Sequence, residues 1–328
     1  MIRSGPYGLL WRVKPLHTLL TLPVLLVCAC DEAPEPDIGA ELGDVAWRTT
    51  SVVPSTPGYY SLDFEQADGT QRSFLLFLPP GYDETGAEPF ELILMFHGGG
   101  QSALEFAGSG GMLKLHDHAL ADDRIVVFPN ARPGVNPALD GLWLTNAVVR
   151  DDTEYAQELL DHLETELHVD TDRVFAGGYS NGGRLVHELG TTMAGRFRGL
   201  AAVSSYYGST FSGTPAGPPA GTTTPVFLAN TETDGVVPYG GGTWQGYTSA
   251  QDAYDAWYPD NGCTSPTRTY DITTATYDAT ACTFGTFRNT IQFVTVHDVS
   301  TFSSHAWPTF DNSGYEVTNG MINFWDAQ

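Results

Sequence analysis

The chain has 328 residues, 41% hydrophobic and 12% aromatic, with a formal charge of −24. Length and composition suit one large buried core and exclude extensive disorder. Lys14 and Lys114 are its only lysines. A surface so acidic repels phosphate backbones and anionic lipid, which excludes nucleic acid as a partner.

The first 30 residues read as a targeting segment. Arg3, Arg12 and Lys14 form a basic start, and Leu16 to Ala29 is an apolar run too short for a comfortable membrane span. It ends in Val27-Cys28-Ala29-Cys30. This is similar to a bacterial lipobox, with Cys30 as the lipidated residue; plain secretion with cleavage near Ala29 is the alternative. The chain is therefore expected outside the cytoplasm, touching membrane only through such a lipid. Residues 31–57, rich in Pro, Glu and Asp, are expected to form a flexible tether, and 58–328 a single folded domain.

Strand and helix patterns alternate from Tyr59 onward. Arg72 to Leu78 and Phe90 to His97 read as buried strands, the second apolar nearly throughout, as a strand covered on both faces must be. Arg124 to Asn130 is a third. Asp152 to Leu167 carries Tyr155, Leu159, Leu160, Leu163 and Leu167 at helical spacing, with acids in its first turn. Arg173 to Tyr179 reads as a strand and Asn181 to Met193 as a helix. Leu200 to Tyr207 and Pro225 to Asn230 are further strands, and Thr243 to Trp257 a helix. Thr290 to Val296 is a last strand, before a closing helix over Gly314 to Trp325. This alternation predicts an α/β class: a mainly parallel central sheet with helices on both faces. Ser209 to Thr224, rich in Gly, Pro, Ser and Thr, is expected as a long surface loop. Cys263 and Cys282, an even pair in an exported chain, read as a disulfide. Such a bridge closes a loop of just over ~15 residues and stabilises by roughly 3 kcal/mol. The Thr-rich stretch it pins is expected to be a short hairpin excursion.

The chemistry centres on Gly178-Tyr179-Ser180-Asn181-Gly182. A GxSxG pentapeptide alone is weak in a glycine-rich chain. Here it follows a buried strand and opens a helix, the sharp turn that raises a serine hydroxyl above a sheet. Ser180 is therefore the expected nucleophile, with the helix N-terminus adding positive charge where an oxyanion forms. A serine needs a base. Of the downstream histidines, His305 lies on a loop before the last helix, whereas His297 ends an apolar strand and reads as structural. The acid is expected after the strand Pro225 to Asn230, where Asp234 is favoured over Glu232; Asp252 and Asp298 are less well placed. Asp234 would fix the tautomer of His305 and stabilise its imidazolium. Two N–H groups are needed for the oxyanion: that of Asn181, and one from His97-Gly98-Gly99-Gly100, with Gly99 favoured and Gly98 next. His97 itself reads as a loop-orienting residue.

Taken together, HGGGQS, VDTDRVFAGGYSNGG, TDGVVPYGG and SSHAWP resemble a secreted esterase family of the α/β-hydrolase fold. That family contains feruloyl esterases, acetylxylan esterases and poly(3-hydroxybutyrate) depolymerases. The resemblance covers about Arg72 to Trp325. It implies the α/β-hydrolase fold, ester hydrolysis through an acyl-enzyme, and Ser180, Asp234 and His305 as a triad. It also implies Trp143 near the substrate cleft and Asp152 in a structural turn; core aromatic and helix N-terminal acid are the other readings. Trp244 and Trp307 are open in the same way, cleft or core. Where the family often has Gly-Thr before its aspartate this chain has Asn230-Thr231-Glu232-Thr233, and Ser303-Ser304 stand where it often has Gly-Gly. The expected partner is an ester substrate, with plant cell-wall polysaccharide and polyester both in scope, and the chemistry calls for no metal or organic cofactor. A peptidase or acyltransferase with the same triad is the alternative. A non-catalytic carbohydrate-binding surface lipoprotein is a further one, but such proteins commonly lose a triad member and none is missing here.

Overall fold

The computed structural model describes residues 48–132, 140–146, 150–210, 213–217, 223–242, 245–258, 270–273, 277–284, 288–297 and 305–328. The expected targeting segment, Cys30, Cys263, Trp244, Asp298 and Ser303-Ser304 lie outside these residues, as does the side chain of Cys282.

In chain order the elements are β1 (Arg48–Thr50), β2 (Gly58–Glu65), β3 (Gln71–Leu78), β4 (Phe90–Phe96), α1 (Ala103–Ala107), α2 (Gly110–Ala121) and β5 (Ile125–Pro129). Next come a small pair, β6 (Thr145–Asn146) and β7 (Arg150–Asp151), then α3 (Asp152–Glu166), β8 (Val169–Tyr179), α4 (Asn181–Thr192), β9 (Gly199–Val203) and β10 (Val226–Thr231). The chain closes with α5 (Ala250–Trp257), β11 (Tyr270–Thr273), β12 (Tyr277–Phe284), β13 (Arg288–Val296), α6 (Phe310–Ser313) and α7 (Val317–Asp326).

Among the described residues, eleven strands form one sheet in the order β1-β2-β3-β5-β4-β8-β9-β10-β13-β12-β11. From β5 to β13 every neighbouring pair is parallel. Antiparallel strands extend both flanks: β3 and β2 on one side, β12 and β11 on the other. Alternation along β4 explains the layering. Leu92, Leu94 and Phe96 pack into one core with Leu159, Leu163, Leu185, Leu189 and Trp257 of α3, α4 and α5. Ile93 and Met95 face the other core, with Phe106, Leu115, Met321 and Trp325 of α1, α2 and α7. Both faces are apolar because both are covered, as parallel strands require.

Topology also positions the site. From β4 the chain moves outward to β5, whereas from β8 it moves the opposite way through β9 and β10. The loops leaving the carboxyl ends of β4 and β8 therefore diverge and open a crevice between them, the place where doubly wound sheets bind ligands.

Several expectations need correction. β1 lies inside the expected tether and pairs with β2. The expected strand from Leu200 stops at Val203, because Ser204 turns with φ 46°. The helix expected from Thr243 starts only at Ala250, where Ser249 and Asp252 form a reciprocal capping box; this engages Asp252 in capping. The Thr-rich hairpin exists as β11 and β12, but it continues the main sheet rather than standing apart.

Candidate active site

β8 runs directly into α4, and Ser180 is the joint. Its backbone takes φ 52° and ψ −116°, a conformation that costs a non-glycine residue on the order of 1–3 kcal/mol. Surrounding bonds hold it there. Ser180 N–H donates to Val203 O at 2.9 Å, while Ser180 O accepts from Arg184 N–H at 3.0 Å and Ser205 Oγ at 2.7 Å. The flanking glycines are dictated by space. A Cβ on Gly178 would sit 2.5 Å from the backbone of Gly182, and one on Gly182 would sit 2.2 Å from Phe96 O. Strand, turn and helix thus approach one another too closely for any side chain but hydrogen.

Two further loops bring their side chains to this serine. His305 Nε2 lies 2.9 Å from Ser180 Oγ, and His305 Nδ1 lies 2.7 Å from Asp234 Oδ2. An ionised carboxylate only accepts, so Nδ1 carries the proton and Nε2 is left to accept from the serine hydroxyl. The other carboxylate oxygen, Oδ1, accepts from Val236 N–H and Val237 N–H, each at 2.8 Å. Asp234 and His305 are both buried, which keeps this chain of hydrogen bonds away from competing water. His297 instead meets Glu232, Nδ1 to Oε2 at 2.9 Å.

The loop carrying His305 is held through three consecutive carbonyls. Those of His305, Ala306 and Trp307 accept from Tyr179 Oη at 2.8 Å, Ser204 Oγ at 3.0 Å and Asn312 Nδ2 at 3.0 Å. The Tyr179 ring also stacks on the imidazole, centroids 5.2 Å apart and planes 28° apart. Trp307 lies in the core against Gly111 and donates its indole N–H to Thr318 Oγ1 at 3.0 Å. None of these three donors was legible beforehand. Tyr179 occupies a variable position of the pentapeptide, and Ser204 and Asn312 carry no local motif.

The opposite wall is the glycine loop after β4. His97 is buried; its Nε2 accepts from Ala131 N–H at 3.1 Å, so Nδ1 bears the proton and donates to Gly98 O at 2.8 Å. Burial pushes its pKa down to about 4. A neutral ring in this position orients the loop. Gly98 N–H donates to Gln101 Oε1 at 2.9 Å, and Gly100 N–H donates to Gly141 O at 3.0 Å. Both flanking amides are therefore engaged within the protein. Gly99 lies exposed between them, and a Cβ built on it would fall 3.5 Å from Asn181 Cβ. The structure thus brings Gly99 beside the first residue of α4.

Trp143 is the clear correction. It is 2% exposed, stacked on Tyr155 and edge-on to Phe96, and its indole N–H donates to His97 O at 2.9 Å. A ring so enclosed lines no substrate cleft. Asp152 is wholly buried in the turn beside it, with Oδ2 accepting from Leu144 N–H at 2.6 Å and Oδ1 paired with Arg72.

Comparison with known proteins bears on this arrangement. Residues 144–252 match the family described as Phospholipase/Carboxylesterase, a stretch that includes Ser180 and Asp234 but not His305. A probable feruloyl esterase C of Aspergillus terreus is 26% identical over 148 residues, 44% of this chain and 50% of that protein. The chain thus spans about half the length of the curated relative it matches. Among solved structures, the acetyl xylan esterase from Aspergillus awamori is similar with a TM-score of 0.58 at 11% identity, covering 83% of this chain and 100% of its own. A thermostable esterase is similar with a TM-score of 0.52 at 15% identity, covering 82% of this chain and 63% of its own. The α/β-hydrolase fold expected from the sequence is borne out, and so is the resemblance to esterases of that fold.

Proposed function

We propose that this chain is a serine carboxylesterase that works through an acyl-enzyme. One observation carries the reading: an unbroken line of hydrogen bonds from Ser180 Oγ through His305 to Asp234, built on a strained strand-to-helix turn. His305 Nε2 removes the hydroxyl proton as Ser180 Oγ attacks the ester carbonyl. N–H groups of Gly99 and Asn181 stabilise the tetrahedral oxyanion. The imidazolium then gives its proton to the departing alcohol, leaving the acyl group on Ser180. Water, deprotonated by the same imidazole, attacks the acyl-enzyme and releases the carboxylic acid. Asp234 keeps Nδ1 protonated throughout and stabilises the positive ring without taking its proton.

The substrate class we favour is a feruloyl or acetyl ester of a plant cell-wall polysaccharide, or a polyhydroxybutyrate-like polyester. Likeness to a probable feruloyl esterase and to an acetyl xylan esterase supports the first. The basic-then-apolar N-terminus supports export, as a free or lipid-anchored protein acting outside the cytoplasm.

A fluorophosphonate probe should label the wild type and not Ser180→Ala. Hydrolysis of methyl ferulate, acetylated xylan and short polyhydroxybutyrate, measured side by side, then identifies the ester. Absence of labelling in a folded wild type would overturn the enzyme reading and favour a binding protein. Transfer of acyl groups to an added alcohol in preference to water would make it an acyltransferase.

A further inference from the structure

Two N–H groups that share one oxyanion must converge on a single point, within about 2.7–3.1 Å of it. Here they come from different elements: Asn181 opens α4, and Gly99 lies in the loop after β4. Something must hold these two elements at a set separation. Trp143 and the side chain of Asn181 connect them directly.

Asn181 uses both ends of its amide on one residue. Its Oδ1 accepts from Trp143 N–H at 2.7 Å, and its Nδ2 donates to Trp143 O at 3.2 Å. The amide side chain offers a donor and an acceptor side by side in one plane, matched to the N–H and C=O of one residue. Aspartate at this position keeps the acceptor alone, and alanine keeps neither. Trp143 then reaches the other wall, its indole N–H donating to the carbonyl of His97, which immediately precedes the three glycines. Its ring is clamped by His97, Phe96 and Tyr155, with centroids at 4.8, 5.3 and 6.5 Å, so the span has little freedom. Beside it Gly100 N–H binds Gly141 O at 3.0 Å, and a Cβ on Gly141 would lie 3.0 Å from Gly100 Cα. The 141–143 segment is therefore packed directly along the glycine loop.

We infer that Trp143 and the Asn181 side chain act as positioning residues: together they form a bracket that sets the distance between the two oxyanion donors. The inference rests on the esterase reading above. It assigns Trp143 a role in transition-state geometry and none in substrate contact.

The test uses the full-length chain with Trp143→Phe, which keeps an aromatic ring but removes the indole N–H, and Asn181→Asp and Asn181→Ala, which break the other end. A displacement approaching 1 Å costs on the order of 10²-fold in rate, so kcat should fall by roughly 10-fold to 100-fold with KM nearly unchanged. Affinity for an aryl trifluoromethyl ketone, which forms a tetrahedral adduct on serine, should fall by the same factor as kcat/KM. Trp143→Phe combined with Asn181→Ala should cost less than the product of the single losses, because both cut one connection. Three outcomes would overturn the bracket: a lowered melting temperature with unchanged kcat and ketone affinity, a raised KM with unchanged kcat, or fully multiplicative single effects. Fluorophosphonate separates the two levels. A folded wild type that fails to label overturns the esterase reading itself, whereas equal labelling rates for wild type, Trp143→Phe and Asn181→Asp overturn only the bracket. Should Trp143→Phe fail to fold, the two Asn181 variants carry the decision.

Discussion

The two loops that face each other across Ser180 are held by opposite means. On the oxyanion side, support comes from inside: the buried neutral His97, an enclosed Trp143 and an amide bracket, all packed behind the glycines. On the histidine side, three hydroxyl or amide side chains, at the end of β8, in the turn after β9 and in α6, hold three successive carbonyls. The first wall is stiff because its own neighbours fill the space behind it. The second depends on single donors, two of them distant in the chain and the third, Asn312, five residues on, each of which can be removed singly without opening a large cavity. The oxyanion wall should therefore fail as a unit and the histidine arm in steps.

Mutations can break or sharpen that contrast. The largest effect is expected at the end of the histidine arm, where Asp234→Asn leaves the shape intact but favours the wrong imidazole tautomer. A kcat loss on the order of 10⁴-fold with a native circular dichroism spectrum is the expected result. Next is the bracket, where either half alone should produce most of the loss. Tyr179→Phe follows: it keeps the ring stacked on His305 but frees the carbonyl, and about a 10-fold fall in kcat is expected from a modest displacement of the base. Ser204→Ala, one carbonyl further from the imidazole, should cost less, and a variant of Asn312 less again. A steady decline along 179, 204 and 312, read from kcat at fixed KM, would support stepwise clamping; equal losses would refute it.

The smallest effects concern acid. Burial lowers the pKa of His97 from 6.5 to about 4, and that of His187, whose Nδ1 accepts from Trp257 Nε1, to about 3. The unfolded chain takes up these protons near pH 6.5 and the folded chain does not. Stability from both rings is thus fully present above about 6.5 and is lost as pH falls towards 4, by at most about 1.4 kcal/mol per pH unit for each ring. Urea unfolding midpoints between pH 8 and pH 4.5 should show this slope. His187→Asn, which keeps an acceptor for Trp257, should flatten it by about half.

Parallel strands were legible because burial on both faces writes continuous apolar runs, as in Leu92 to Phe96. The nucleophile turn was legible because the pentapeptide sits between a buried strand and a helix; Gly178 is forced by the backbone of Gly182 four residues on, and Gly182 by Phe96 O of the neighbouring strand. The helix α2 was not legible, since it begins Gly110-Gly111; only the fold reveals that Gly111 makes room for the ring of Trp307, whose Cδ1 would lie 2.2 Å from any Cβ there. Trp143 was misplaced for a similar reason. A large aromatic beside a glycine loop has the same sequence signature whether it faces ligand or core.

From sequence alone came the strand–helix alternation, the serine turn and the residue types able to relay a proton, because these depend on local periodicity and on short-range sterics. Tertiary structure alone decided the distances that join Ser180, His305 and Asp234, that Gly98 turns its amide inward, and that the ring of Trp143 is buried against His97. Those outcomes depend on groups up to 125 residues apart in the chain, and their distances are set by how the sheet and helices pack.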